Sequence, residues 1–470
     1  MNILVVTDNY LTGGLENNIA TYYNELKDKN NFYFCVSTYE DNKILESDNI
    51  YKDFHFNYNV SLSDFLSDVN RMIKIIKEKK IDFIQVHPFY GIYAAWLAAN
   101  QTNTKLIYTY HGIISLNYTV NLFDEILTEY IFEKSVSLAL CVSDLGEQGF
   151  STINFNKTKL LPNPVNISSM EVSKVNNNKK WALITRLDTD KVPSIIKLFE
   201  MLPEIDIDQV DVYGEGNERE NLEALASKCS KKISFLGYHN DLDKILKDKY
   251  NGVIGIGRAA IEGLAMGYPL FFVGHGKVCG LLDEEMYDRA RRLNFVATDF
   301  ETMDAEKINK QLAKVDEKYI LRDRAVEDFD IKNLAKKYLE YVNEAQNGSL
   351  KLKIDNIYNR LTKLNEEKPD IEFHNSNEVY VIVKDEIFFD TNNIAIKNKL
   401  LIKDYVDEKY KNDMKLKQND IKDLNEKIDN LSKEIETLRN QYRESIEYLS
   451  DNLNLKWVIK NDFKKFKKKK

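Results

Sequence analysis

Arg186 and Lys191 stand five residues apart just after the apolar run Ala182, Leu183, Ile184. The run reads as a buried strand, so the two cations fall on the loop that leaves it. Positioned cations of this kind can hold the two negative charges of a departing diphosphate without a metal. Glu262 follows later, behind Gly255, Gly257 and Arg258 and ahead of Gly263 and Gly267. A carboxylate near the start of a helix there could accept both hydroxyls of a ribose. Together the three residues fit a nucleoside diphosphate. Each also has a plainer reading. Arg186 could pair with Asp188 or Asp190 in an ordinary surface loop, and Glu262 could serve the helix dipole. Asp188-Thr189-Asp190 also places two carboxylates where they could hold a metal ion, a reading the strand-helix repeat described next argues against.

Other candidates sit where strands should end. Gly13 and Gly14 follow the first apolar run and open a helical pattern; glycines there let a ligand approach the backbone, and helix N-terminal amides attract anions. His111, before Gly112, closes another strand, and His87, before Pro88, closes a third; either could instead be a hydrogen-bonded core histidine. Gly214 and Gly216 read as a tight turn after a strand.

The elements that must position these residues alternate. Strand candidates at 3–7, 32–38, 81–87, 105–110 and 138–142 are separated by amphipathic patterns such as Leu15, Ile19, Tyr22 and Leu26. Prolines 162 and 164 mark a connector, after which the pattern restarts. New strand candidates lie at 181–185, 209–213, 233–236, 252–256 and 270–273, with helices at 194–202, 219–228 and 259–266. A helical stretch at 334–345 closes this second part. Two tandem α/β units of this kind bind ligands at the carboxyl ends of their strands, and the default active site is the cleft between them.

The sequence divides into 1–165 and 166–345 as two Rossmann-like domains, 346–403 as a linker or small accessory segment with a strand-like 379–383, 404–452 as a coiled coil, and 453–470 as a basic tail. Ile421, Leu424, Ile428, Leu431, Ile435, Leu438 and Tyr442 recur at heptad spacing, with Ile and Leu placed as in a parallel two-stranded coiled coil, which predicts a homodimer; a long helix packed on its own chain is the rival reading. In the tail eight lysines face one aspartate, with Trp457, Phe463 and Phe466 among them. That suits an anionic membrane surface.

Composition narrows the classes. The chain has 470 residues, 43% hydrophobic and 30% charged, and a net charge of −8, which argues against a nucleic-acid binder. Cys35, Cys141, Cys229 and Cys279 are scattered without metal or redox spacing and are expected as free thiols in a reducing compartment. Residues 1–7 read as a strand and not a signal peptide, and no apolar run reaches the length of a membrane span. The expected location is cytoplasmic, peripheral at the inner face of the plasma membrane.

Taken in order, Gly13-Gly14-Leu15-Glu16, His111-Gly112, Arg186 through Lys191, Gly214-Glu215-Gly216, and Glu262 through Pro269 resemble glycosyltransferase family 4. The resemblance covers about residues 1–345. It implies a GT-B fold and a retaining, metal-independent enzyme with no cofactor, whose donor is a nucleotide-sugar, UDP-linked foremost, and whose acceptor is a glycan, lipid-linked or polymeric. It gives Arg186 and Lys191 the diphosphate, Glu262 the ribose, His111 the donor sugar, and Gly13, Gly14, Gly214 and Gly257 places around the donor. One departure stands out. The family has an acid eight residues before the ribose glutamate, and that position is Ile254. Arg258, four residues beyond, is the candidate to replace its contacts.

These readings predict transfer of a sugar to an acceptor hydroxyl in surface or envelope glycan synthesis. A non-catalytic GT-B partner subunit, suggested by Ile254, and a coiled-coil scaffold at a membrane are the alternatives. A sugar epimerase is less favoured, because no paired acid and base groups stand out.

Overall fold

The computed structural model describes residues 1–345, apart from 12, 40–46, 48, 113–114, 116–119, 152, 154, 190, 240 and 316–318, and residues 354–415. They form two units. One is Met1–Pro164 with Ile331–Asn412, and the other is built on Val165–Asp330.

The first unit holds β1 (Asn2–Tyr10), β2 (Asn31–Tyr39), β3 (Ile50–Tyr51), β4 (Phe83–Val86), β5 (Lys105–Tyr110), β6 (Val136–Cys141) and β7 (Thr158–Leu160). Between them lie α1 (Gly14–Leu26), α2 (Leu62–Lys79), α3 (Gly91–Thr102), α4 (Leu122–Lys134) and α5 (Asp144–Ser151). The sheet runs β3-β2-β1-β4-β5-β6-β7, and every pairing is parallel. A parallel sheet is covered on both faces, so its central strands β4, β5 and β6 are almost wholly buried. In β1, Leu4 and Val6 enter one core while Ile3 and Val5 enter the other, the two-residue period of a strand. The helices carry their own start signals. Ser61 caps α2 by accepting from the Asp64 amide at 3.0 Å, and Asn121 caps α4 by accepting from the Asp124 amide at 2.9 Å.

The second unit restarts the pattern with β8 (Lys180–Ile184), β9 (Gln209–Tyr213), β10 (Lys232–Gly237), β11 (Gly252–Gly255), β12 (Leu270–Gly274) and β13 (Lys277–Leu281). Its helices are α6 (Val192–Met201), α7 (Arg219–Ala226), α8 (Leu242–Leu246), α9 (Arg258–Ala265), α10 (Glu284–Arg292), α11 (Ala305–Leu312) and α12 (Arg322–Phe329). The order β10-β9-β8-β11-β12-β13 is that of a dinucleotide-binding sheet, with β13 antiparallel at the edge. Alternation again divides the core: Trp181 and Leu183 face one side, Ala182 and Ile184 the other.

The expected boundaries need correction after residue 330. Helix α13 (Ile331–Glu344) does not close the second unit. Its stripe of Leu334, Ala335, Tyr338 and Val342 packs in the first unit with Ile3, Val5 and Ile107, and the Tyr338 hydroxyl donates to Gln85 Oε1 at 2.6 Å. Of the two readings of 346–403, linker or small accessory segment, the described residues 354–403 take the second. Helices α14 (Ile354–Glu367), α15 (Asn377–Asp390) and α16 (Ile394–Lys415) bury Ile357, Leu361, Val379, Val383, Ile387, Ile396 and Leu400 in the first unit's larger core. The strand-like 379–383 is helical because Val379, Val383 and Ile387 recur every fourth residue behind a Ser376 cap, which accepts from the Val379 amide at 3.2 Å. The run of four β-branched residues and Tyr380 hid that longer period.

The start of the expected coiled coil, 404–415, belongs to α16. Its heptads from Ile421 and the whole basic tail lie outside the described residues. Among the described residues no helix is long and apolar enough to cross a membrane. The four cysteines are free; Cys35, Cys141 and Cys279 are buried and Cys229 is partly exposed.

Candidate functional site

In each sheet the chain reverses direction across the sheet at one place, between β1 and β4 in the first unit and between β8 and β11 in the second. The loops at the carboxyl ends of such strand pairs turn away from each other and leave a crevice, where ligands of open α/β sheets bind. The candidate residues cluster at these two edges.

In the second unit Ile184 ends β8 opposite Gly255 at the end of β11, so the two following loops leave side by side. Arg186 lies on the first. Its side chain is 60% exposed, and its Nη1 meets Asp188 Oδ2 at 2.9 Å. The plainer reading of this cation thus holds in the unliganded chain, although an anion could replace a surface carboxylate at little cost. Lys191 is the N-cap residue of α6, and its amide donates to Asp188 O at 2.8 Å. Asp190 lies outside the described residues.

Gly214 and Gly216 have a structural reason of their own. A Cβ on Gly214 would stand 1.8 Å from Thr185 O, and its φ is +151°. A Cβ on Gly216 would stand 2.4 Å from Leu187 C. The loops after β8 and β9 are laced together, with the Leu187 amide donating to Glu215 O and the Glu218 amide to Leu187 O, both at 2.9 Å. The glycines therefore set the backbone that carries Arg186.

The loop after β11 turns at Gly257, where φ is +60°, and enters α9 directly. Only Asn294 O lies within 4 Å of an added Cβ there, so the conformation and not crowding calls for glycine. Glu262 lies one full turn inside α9, not in its first turn, which removes the helix-dipole reading. Its Oε1 accepts from Arg258 Nε at 2.9 Å, with the side chains 21% and 25% exposed. Arg258 thus holds the carboxylate from the preceding turn. Ile254 is a core residue inside β11, paired in register with Leu183 and Phe271 and fully buried. The chain passes from β11 to α9 through Ile256 and Gly257 alone, and position 254 carries no carboxylate. The sequence left one ring at this edge unmarked. Tyr238, just after β10, keeps much of its side chain in solvent, yet partial desolvation of the hydroxyl, followed by the charge of Glu262, raises its phenol above the ordinary value.

In the first unit His87 and His111 leave the neighbouring strands β4 and β5. His87 Nδ1 and His111 Nε2 lie 2.8 Å apart. Burial, and next the ring of His111, hold His87 well below its ordinary value; burial brings His111 down to about 4. Both rings are neutral at pH 7, one nitrogen donating and the other accepting. Asp8, unmarked in the sequence, ends the unbroken buried run of β1 and accepts from the amides of Phe89, Tyr90 and Gly91 at 3.0, 2.7 and 2.7 Å. Burial pushes it up to about 6 against the pull of those amides. It fixes the start of α3 and so the turn that carries His87. At the first loop the Glu16 carboxylate covers Gly13, whereas a Cβ on Gly14 would meet nothing within 4 Å. The space at Gly14, like that at Gly112, is open.

Residues 12–169 match the family model Glycosyltransferase Family 4. A search of curated proteins gave no match. Among solved structures, the chain is similar to Anabaena HepE, a structure in complex with UDP and glucose, at 16% identity and a TM-score of 0.55, covering 73% of this chain and 99% of that one. It is similar to the sucrose-phosphate synthase of Thermosynechococcus elongatus at 15% identity and a TM-score of 0.54, covering 73% and 98%. A third is the lipopolysaccharide outer core galactosyltransferase WaaB, at 13% identity and a TM-score of 0.51, covering 74% and 100%. At these identities the likeness is one of fold.

Proposed function

We propose that this chain, whose residues 12–169 match the family model Glycosyltransferase Family 4, moves a glycosyl group from a UDP-sugar to an acceptor hydroxyl. The observation that carries the reading is the edge between β8 and β11, where two loops leaving paired strands bring the cations Arg186 and Lys191 and the held carboxylate Glu262. A diphosphate exchanges places with Asp188 on Arg186, and Lys191 supplies the second charge. Glu262, kept in place by Arg258, accepts from the ribose hydroxyls. The complexes of HepE with UDP and with UDP-glucose support uracil as the base.

In the reaction the bond from the anomeric carbon to the diphosphate oxygen breaks, and the acceptor oxygen forms its bond on the same face. The acceptor proton passes to the leaving diphosphate, so configuration is retained without a carboxylate nucleophile. The cations meet the charge that develops on the leaving group, so the scheme assigns this role to no metal. His111, neutral and hydrogen-bonded to His87, offers one ring nitrogen to a sugar hydroxyl. A cell-envelope or surface glycan as acceptor, a homodimer through the heptads and docking of the tail on an anionic membrane belong to the same proposal; their support is sequence pattern.

Ile254 in the core favours a second reading, a GT-B subunit that binds donor but leaves catalysis to a partner. Two measurements separate the readings. Thermal shift with UDP and UDP-glucose tests the binding edge; a ligand at 100 times its Kd adds about 2.7 kcal/mol. Release of UDP from UDP-glucose by the purified full chain, abolished in Lys191→Ala, marks the enzyme. A shift without release marks the subunit, and no shift with either compound overturns both.

A further inference from the structure

The C-terminal helices bring a loop, 368–376, back onto the carboxyl edge of the first unit. Its carbonyls serve as the cap of α2: the Leu62 amide donates to Ile371 O at 2.7 Å and the Ser63 amide to Pro369 O at 3.1 Å. His374 is buried, and its Nδ1 meets Asp124 Oδ1, in the first turn of α4, at 2.7 Å. Asp124 Oδ2 is buried too and finds no hydrogen-bond partner among the described residues.

Aromatic rings gather on this imidazole. Tyr93 and Phe373 meet it edge-on, with ring centres 4.9 and 5.0 Å away, and both are buried. Tyr58 stacks on it at 5.3 Å with 22° between the planes, and Tyr90 meets it edge-on at 5.8 Å. Tyr58 and Tyr90 lie 6.1 Å apart, and both are partly exposed. Two amides hold the outer ring: the Tyr58 hydroxyl donates to Asn375 Oδ1 at 2.9 Å and accepts from Asn121 Nδ2 at 3.0 Å. Tyr90 is the residue before α3, and its amide is one of those bound by Asp8.

Packing alone does not call for this arrangement. A core tyrosine buries its ring and pairs its hydroxyl; here the inner rings are buried and the two outer ones are left at the ligand-binding edge of the sheet, one of them fixed by two amides. A pyranose has an apolar face of C–H groups that lies flat on an aromatic ring, and fixed tyrosines bordered by amides suit it. We propose that Tyr58 and Tyr90, held by the 368–376 loop, form a stacking subsite for a pyranose ring of the acceptor. The word acceptor rests on the glycosyltransferase reading; the stacking itself does not. His374 and Asn375 are positioning residues, and the C-terminal helices then serve specificity as well as stability.

The test uses the full chain on an array of glucosyl, galactosyl and N-acetylglucosaminyl mono- and disaccharides, with UDP thermal shift measured in parallel. The wild type should bind at least one saccharide. Tyr58→Ala and Tyr90→Leu should weaken that binding at least about tenfold, and Tyr58→Phe should restore most of it. Because Tyr58→Ala removes packing on His374, Tyr90→Leu, which keeps most of its volume, decides if the first variant fails to fold. Wild-type binding to no saccharide, or equal binding by the variants, overturns the subsite. A wild type without a UDP shift strikes the donor reading instead and leaves the array to judge the subsite.

Discussion

His87 and His111 share a ring-to-ring contact of 2.8 Å at the ends of adjacent parallel strands. Unfolded, each takes a proton near its ordinary 6.5; folded, His111 does so only at about 4, and burial holds His87 well below its ordinary value. The unfolded state therefore binds more protons between those values, so the pair's contribution is full above pH 6.5 and is lost as pH falls toward 4. Asp8 works the other way, because its folded value of about 6 exceeds the ordinary 3.8. Comparison with His111→Gln isolates the ring. From pH 7 to pH 4 the wild type should lose about 1–2 kcal/mol relative to the variant, read from urea midpoints. Parallel curves would show that His111 takes up its proton normally.

The pairing of Arg186 with Asp188 sets a second expectation. Lys191→Ala removes a charge-assisted contact and should weaken UDP binding about 10- to 100-fold by calorimetry. Asp188→Asn removes the competitor for Arg186 and should tighten UDP binding, up to about fivefold at low salt. Weaker binding in Asp188→Asn would mean that Asp188 orients Arg186 for the ligand.

Ile254→Glu would supply the acid that the sequence resemblance calls for but place it in a filled strand of the second unit's core. An unpaired buried carboxylate costs several kcal/mol. The variant should melt well below the wild type or fail to fold, with no gain in UDP release from UDP-glucose. A stable and more active Ile254→Glu would show that this residue faces the donor.

Glycines at the two edges should separate by cause. Gly214→Ala drives a Cβ into Thr185 O and should cost at least about 2 kcal/mol. Gly14→Ala meets open space in the first turn of α1 and should change stability by less than about 0.5 kcal/mol. Chemical denaturation of both variants checks the contrast, and a large loss in Gly14→Ala would show that its surroundings are filled.

Cutting the chain after residue 345 removes Ile357, Leu361, Phe373, Val379, Val383, Ile387, Ile396 and Leu400 from the first unit's core. At about 1.5–3 kcal/mol per buried side chain the loss matches or exceeds the usual stability of a domain. That fragment should aggregate or unfold, whereas a cut after residue 415 should leave a folded protein, as circular dichroism and gel filtration will show. A monomeric, cooperatively melting 1–345 would make the C-terminal helices dispensable.

Much of this was legible in the chain. Buried parallel strands are short apolar runs, so most of the two sheets could be read from pattern. The cations, the glycines and Glu262 were legible because they follow such runs at the carboxyl ends. The i, i+4 spacing of Arg258 and Glu262 was also there to be read, since residues four apart on a helix are neighbours. Asp8 gave a weaker signal, a lone acid ending an apolar strand.

By itself, then, the chain determined the two α/β repeats and which loops carry the charges, because strand period and loop position are local properties. Tertiary structure alone decided the rest. It placed α13 to α16 in the first unit, turned Ile254 into the core, put His87 against His111 and set His374 under Tyr58. Such pairings join residues far apart in sequence, and no local spacing encodes which buried face will meet which.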